Sequence, residues 1–251
     1  MTFRKHVVAT ALCVVLGIAA DAAAGTTGSV AVTSDYVFRG VSQSNGKPAL
    51  QGGVEFATER GAYIGAWGSS ISWLSDASPP AAPISSALEM DVYGGYRGKL
   101  GDAVGYDIGA LYYAYPGAFP SGFNRADTLE LYAGVTLAAS DKLSLGAKYS
   151  VSTTDLFGYA DSAGSGYLDL SATVAIADGW SVGAHAGKQW IKGNRPFDYT
   201  DWKLGATKAF ANGVSANLAW TGTDANAALY TNAHGHALAG DAIALTITKA
   251  F

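Results

Sequence analysis

From Ser29 onward, apolar and polar residues alternate with a period of two, the signature of strands with one face in each environment. Twelve stretches of about 10 residues carry the pattern, long enough to cross a bilayer when tilted. They fall near Ser29–Arg39, Ala49–Glu59, Ala62–Leu74, Ala87–Lys99, Val104–Tyr115 and Thr128–Ala138 in the first half. The second half adds Leu143–Thr153, Tyr167–Ala177, Trp180–Trp190, Asp201–Phe210, Val214–Thr223 and Asp241–Phe251.

The connections alternate in length. Short ones are Arg60-Gly61, Gly101-Asp102, Ser140-Asp141, Asp178-Gly179 and Asn212-Gly213. Asp-Gly and Asn-Gly suit two-residue hairpins, because both central residues take positive φ. Long ones run over 40–48, 75–86, 116–127, 154–166, 191–200 and 222–240, and carry most of the prolines. Short turns at one rim and long loops at the other is the plan of an outer-membrane barrel. An even strand count places both ends of the chain at the short-turn rim.

A secreted β-sandwich also alternates, so the two faces must decide. Trp180, Val182, Ala184, Ala186 and Trp190 share one phase; Ser181, Gly183, His185, Gly187 and Gln189 share the other. Trp202, Leu204, Ala206 and Phe210 oppose Asp201, Lys203, Gly205 and Thr207. Tyr106, Ile108, Ala110 and Tyr112 oppose Gly105, Asp107 and Gly109. Tyr63, Trp67, Ile71 and Trp73 are assigned to the apolar face of their strand. Aromatic residues then collect at both strand ends. Tyr63, Tyr96, Tyr106, Trp180, Phe210 and Phe251 fall at the short-turn end; Phe38, Trp73, Trp190, Trp202 and Trp220 fall at the other. Two aromatic girdles about 25 Å apart fit a lipid-facing wall. A sandwich core has no reason to build them. The sequence therefore predicts an all-β, closed, antiparallel, up-and-down transmembrane β-barrel of about 12 strands.

Composition agrees. Only 14% of residues are charged, and the chain holds 32 Gly and 14 Tyr; ordinary globular domains carry about 25% charge. Residues 1–24 read as a signal peptide: Arg4 and Lys5 precede an apolar run over 7–20 and a small-residue stretch. That run is shorter than the roughly 20 residues of a spanning helix. The mature barrel, residues 25–251, then has no cysteine, since Cys13 lies in the signal. Disulfides and thiolate metal sites drop out. A net charge of −4 argues against a nucleic-acid partner, which needs clustered Lys and Arg.

Several segments resemble the TorF family, whose members are taken as outer-membrane pores. They are Ser34-Asp35-Tyr36-Val37-Phe38-Arg39-Gly40-Val41-Ser42-Gln43, Gly61-Ala62-Tyr63-Ile64-Gly65-Ala66-Trp67-Gly68-Ser69 and Glu89-Met90-Asp91-Val92-Tyr93-Gly94-Gly95-Tyr96. Tyr113-Ala114-Tyr115-Pro116-Gly117, Tyr167-Leu168-Asp169-Leu170-Ser171 and Asp198-Tyr199-Thr200-Asp201-Trp202-Lys203 belong with them. The resemblance spans nearly the whole mature chain. It implies a location and a fold more than a substrate.

The inward phase supplies the candidate pore-lining residues: Arg39, Glu55, Glu89, Asp91, Arg97, Asp107, Glu130, Lys148, Asp169, His185 and Lys203, with Asp35 and Asp201 beside them. Rings of lumen charge set ion preference in channels. Carboxylates outnumber cations, which predicts a weak cation preference, with Glu89, Asp91, Glu130 and Asp169 met first by an entering ion. Cross-strand pairing would tie up some of them: Arg97 with Asp107, and Glu130 diagonally with Lys148. The candidate lipid girdle is Tyr63, Trp73, Tyr106, Trp180, Trp190, Trp202, Phe210, Trp220 and Phe251. The terminal Phe251, in phase with Ile247, Leu245 and Ile243, resembles the signal read by the barrel-insertion machinery.

Other chemistry is thin. His234-Gly235-His236 offers two histidines without a nearby third ligand, Asp241 being the only close carboxylate, so no metal and no cofactor are expected. Ser171, His185 and Asp169 share the inward phase, but nothing marks them as a nucleophilic triad beyond being polar. The expected function is a porin-like channel for passive diffusion of ions or small polar solutes, and not an enzyme. The alternatives are a structural or surface-interaction barrel without an open pore and, third, a barrel lipid hydrolase.

Overall fold

The computed structural model describes residues 24–79 and 81–251. All but the last residue of the predicted signal peptide lies outside the described residues. The chain forms β1 (Gly25–Thr33), a short hairpin of β2 (Val37–Phe38) and β3 (Val41–Ser42), then β4 (Ala49–Ala57) and β5 (Ala62–Ser70). A five-residue helix, α1 (Trp73–Ala77), follows. Then come β6 (Leu88–Leu100), β7 (Val104–Ala114), β8 (Thr128–Ala138), β9 (Leu143–Ser152) and β10 (Gly166–Ala175). β11 (Trp180–Trp190), β12 (Tyr199–Ala209), β13 (Val214–Thr223) and β14 (Ala242–Ala250) complete the wall.

Twelve of these strands, β1 and β4 to β14, make one closed antiparallel barrel in sequence order. Closure joins β1 to β14, from Ser29 opposite Ala250 to Thr33 opposite Thr246. Gly28 and Phe251 extend it by exchanging two backbone hydrogen bonds of 2.9 Å. Among the described residues the barrel leaves no open edge, which a hydrocarbon surround requires because it offers no partner to a bare amide. The turns follow from their residues. Asp178-Gly179 and Asn212-Gly213 have positive φ at both positions, as a two-residue hairpin needs.

The outer surface is apolar along every strand. Val32, Leu50, Ile64, Val92, Ile108, Leu131, Leu170, Leu204, Leu218 and Ile243 are all exposed. Around them Tyr96, Trp180, Phe210 and Phe251 lie exposed at the short-turn end, Trp190 and Trp220 at the other. Tyr106 stacks on Tyr96 with ring centroids 6.4 Å apart, and Trp202 shares the outward phase of exposed Leu204.

Two strands end well before the expected residue, and the first also begins earlier, at Gly25. The first strand stops at Thr33 instead of Arg39, and Asp35 to Gly40 turn into the lumen. The third stops at Ser70, and Trp73 opens α1. The face of that strand is also reversed. Tyr63 and Trp67 are only 5% and 8% exposed, whereas Ile64 is 59% exposed. Tyr63 and Trp73 therefore do not belong to the lipid girdle. β5 reads Ala-Tyr-Ile-Gly-Ala-Trp-Gly, apolar in both phases, so hydropathy alone cannot orient it. Register does: Trp67 sits opposite Gly53 on β4 and Asp91 on β6, both inward. Trp73 leaves the wall altogether and packs edge-on against Tyr115 at 5.6 Å. Phe38, also expected at the girdle, packs inside against Tyr113 and Phe157.

Candidate functional site

The lumen has two unlike halves. In the half walled by β4 to β8, large side chains meet in the middle. Arg97 forms an ion pair with Glu55 and lays its guanidinium 3.9 Å over the Tyr63 ring. The Tyr63 hydroxyl donates to Asp107 at 2.6 Å and also meets the Tyr132 hydroxyl. Nearer the long loops, Glu89 accepts from Tyr36 at 2.9 Å and from Tyr115 at 3.3 Å. Above these lies an apolar cluster of Tyr36, Trp67, Ile71, Leu74, Ile84, Leu111, Tyr113 and Tyr115, joined by Phe38, Trp73 and Phe157. This half is a folded core inside the barrel. Asp91 is buried in it with one carboxylate oxygen unpartnered.

The half walled by β9 to β14 is lined with small polar residues. Ser171, Gly183, Gly205, Asn217, Thr246 and Thr248 lie in the inward phase. Ser144 and Thr173 face each other across β9 and β10, inward yet solvent-exposed. A cavity runs along this wall beside the β2–β3 hairpin. Its charged lining is Asp35, Arg39, Lys148, Asp169, His185, Asp201 and Lys203. Within it His185 is held between two carboxylates. Nε2 is 2.8 Å from Asp201, Nδ1 is 3.2 Å from Asp169, and the Tyr167 hydroxyl lies 3.1 Å from Nε2.

Between the halves stands Arg39. Its guanidinium forks onto Glu130, with Nη1 donating to Oε1 at 2.9 Å and Nη2 to Oε2 at 2.7 Å. Nη1 also donates to Gln189 at 3.0 Å, and the group stacks 4.1 Å over the Tyr167 ring. Both partners of the pair are nearly inaccessible, and a bidentate charge-assisted pair in such a place is among the stronger polar contacts a protein makes.

The wall positions read as pore-lining do take the inward phase, but their partners differ from those expected. Arg97 is opposite Asp107 in register, yet its ion pair is with Glu55, because Tyr63 reaches Asp107 first. Lys148 is opposite Gly134 and Asp169, and Glu130 is taken by Arg39. Arg39 itself is on a loop and not on the first strand. The expected cation preference also loses its basis. Glu89 and Asp91 are sealed in the aromatic core and do not line the cavity. Among the described residues Lys148 and Lys203 form no ion pair, and Lys148 rests 5.0 Å over the Tyr132 ring. Cavity charges are therefore of both signs in similar number.

Two other candidates come apart. Ser171 is directly opposite His185, but both ring nitrogens of His185 face carboxylates, so the imidazole is not aimed at the hydroxyl. His234 lies 3.9 Å from Asp76 and His236 lies 3.3 Å from Asn45. No group of three or more such ligands gathers for a metal among the described residues. What sequence reasoning missed was the hairpin. Its signal was present: Val37-Phe38 and Val41-Ser42 flank Arg39-Gly40, a two-residue turn between short apolar runs. Both turn residues have positive φ, 47° and 75°.

The family described as "Bacterial protein of unknown function (Gcw_chp)" matches residues 19–251. No protein with a curated description matches the chain. Among solved structures, the KdgM porin superposes with a TM-score of 0.58 at 6% identity, covering 90% of this chain and 99% of that one. The NanC porin superposes with a TM-score of 0.57 at 12% identity, covering 89% and 98%. At such identities the likeness is one of fold.

Proposed function

The chain belongs to the Gcw_chp family, a bacterial family of unknown function, and from its geometry we propose that it is an outer-membrane channel for the passive diffusion of ions or small polar solutes. One observation carries the reading. Below the level of His185 the β9 to β14 wall turns only small side chains inward, among them Ser181, Gly183, Gly205 and Asn217, and Ser144 and Thr173 stay solvent-exposed there. A barrel meant only as a scaffold would fill that half as it fills the other. The apolar outer belt, the aromatic residues at its rims and the predicted signal peptide support insertion in outer-membrane lipid. Phe251, 74% exposed at the end of the closing strand, is the contact proposed for the insertion machinery. The resemblance to TorF pores points the same way. His185 takes no catalytic role in this reading: its Nε2 is held by Asp201 and Tyr167, and its Nδ1 faces Asp169 at 3.2 Å.

The second reading is a closed barrel that works through its long loops. The aromatic core and the Arg39 contact favour it, since together they obstruct the long-loop mouth. Planar-bilayer recording on the purified protein separates the two. A stable current that grows with salt is expected of the channel. Silence from a barrel shown to be folded by its unboiled gel mobility, in the original protein and in one with Arg39→Ala alike, would leave the loop-interaction reading in its place.

A further inference from the structure

The hairpin of β2 and β3 is rooted between β1 and β4, yet its tip reaches the far wall. Arg39 at the tip binds Glu130 on β8 and Gln189 on β11. β8 is four strands round the ring from β4, and β11 is four strands round from β1 the other way. The hairpin therefore spans the diameter. Gly40 next to Arg39 touches the wall as well: a Cβ there would come within 2.6 Å of the Asp201 Cβ.

The hairpin is braced as a unit, packs Phe38 against Tyr113 and Phe157, and has few polar ties at its tip. Asp35 at its root accepts from Ser42 at 2.6 Å and from Ser44 at 3.0 Å. Its own ladder has only two residue pairs, which would not hold alone in water. On its outer side Val41 bridges Ala239 in the last long loop, and the Ser42 amide donates to the Leu238 carbonyl at 2.7 Å. Against the far wall, its charged hold is the single Arg39–Glu130 pair. Beside it lies the cavity, lined by Asp35 to Gly40 themselves.

We infer that this hairpin is a displaceable plug, latched across the lumen by Arg39 and Glu130, and that its release sets how much the channel conducts. The inference rests on the channel reading. Loss of either latch partner removes the tip's ionic hold but leaves the twelve-strand wall untouched, because neither side chain joins a ladder bond. Without that hold the plug is displaced and the long-loop mouth opens.

The test compares the full-length protein with Arg39→Ala and Glu130→Gln in planar bilayers, each first shown to be folded by gel mobility. Both variants are expected to conduct severalfold more, or to open far more often. A second arm does not depend on removing a buried charge. Val41 and Ala239 are bridge partners, whose Cα atoms lie about 4.5–5.5 Å apart in antiparallel pairs, within the range a disulfide spans. The chain's one cysteine, Cys13, is in the predicted signal. A Val41→Cys, Ala239→Cys protein should lose its openings when oxidised and regain them on reduction. Unchanged conductance in all of these, with the original protein conducting, would overturn the plug and keep the channel. If neither the original protein nor any variant conducts, the channel reading fails and takes the plug with it. A silent original protein with a conducting Arg39→Ala variant would support both.

Discussion

The two sides of the lumen use the same wall and the same inward alternation, but they are filled in opposite ways. The β4 to β8 side places Tyr63, Trp67, Tyr93, Arg97, Tyr113 and Tyr132 inside. The β9 to β14 side places Lys148, Tyr167, Asp169, His185, Asp201 and Lys203 around a cavity and, toward the short-turn rim, only small residues such as Gly183, Gly205, Thr173 and Asn217. The tryptophans divide accordingly. Trp67 and Trp73 are inside, in the aromatic core, while Trp180, Trp190, Trp202 and Trp220 face outward on β11, β12 and β13. An aromatic residue on a barrel strand is thus not a lipid marker by itself. It goes where large volume must be filled, and on one side of this barrel that is the lumen.

The largest test of the contrast is Trp67→Ala. Removing a buried ring that packs edge-on against Tyr36 at 5.6 Å should cost about 3–5 kcal/mol, read as a lower urea midpoint for loss of the folded gel band. A comparable inward truncation opposite, Thr246→Ala, should change the midpoint far less. Equal losses would mean that the β4 to β8 side is not a packed core. Next in size, Arg at Ile108 or Ala184 should impair assembly on both sides alike, because a mid-bilayer Arg costs about 2–4 kcal/mol. Tolerance at either would put that residue off the lipid face.

Two inward glycines sharpen the comparison further. A Cβ at Gly109 would lie 2.5 Å from the Tyr132 hydroxyl and 2.6 Å from the Gly94 carbonyl. At Gly183 the nearest atom is Thr173 Oγ1 at 3.7 Å. Gly109→Ala should therefore destabilise by about 1–3 kcal/mol, the usual cost of overpacking, and Gly183→Ala should be close to neutral. Similar midpoints for the two proteins would contradict the difference in filling. The smallest effect concerns selectivity. Lys203→Gln, on the open side, should move the reversal potential in a salt gradient toward cation preference, whereas Glu89→Gln, inside the core, should not move it. The shift should fade at 1 M salt, where the screening length is about 3 Å. A larger response from Glu89 would place that carboxylate on the conduction path.

Much of the wall was legible along the chain. Period-two alternation, Asp178-Gly179, Asn212-Gly213 and the apolar phase ending in Phe251 located twelve strands, most of their turns and the closing strand. Outward Tyr106, Trp180, Trp202 and Phe210 followed from phase alone, because their strands alternate apolar with polar. β5 could not be oriented that way, since Tyr63 and Ile64 are both apolar. Arg39 was placed on a strand because residues 34–38 continue the alternation, although the Arg39-Gly40 turn that breaks the strand was visible.

What the sequence determined, then, is everything set by neighbours one or two residues away. Alternation fixes which side a residue takes wherever one phase is polar, Gly with positive φ fixes the turns, and an even number of strands fixes that both strand ends share one rim. What only the tertiary structure decided is what meets across the lumen. Arg39 and Glu130 are 91 residues apart, and Tyr63 and Asp107 are 44 apart. Closing the barrel brings these pairs within hydrogen-bond reach. A side chain's phase says only that it points inward. Which partner it meets there depends on the curvature and register of the whole ring, and on a hairpin that folds into it.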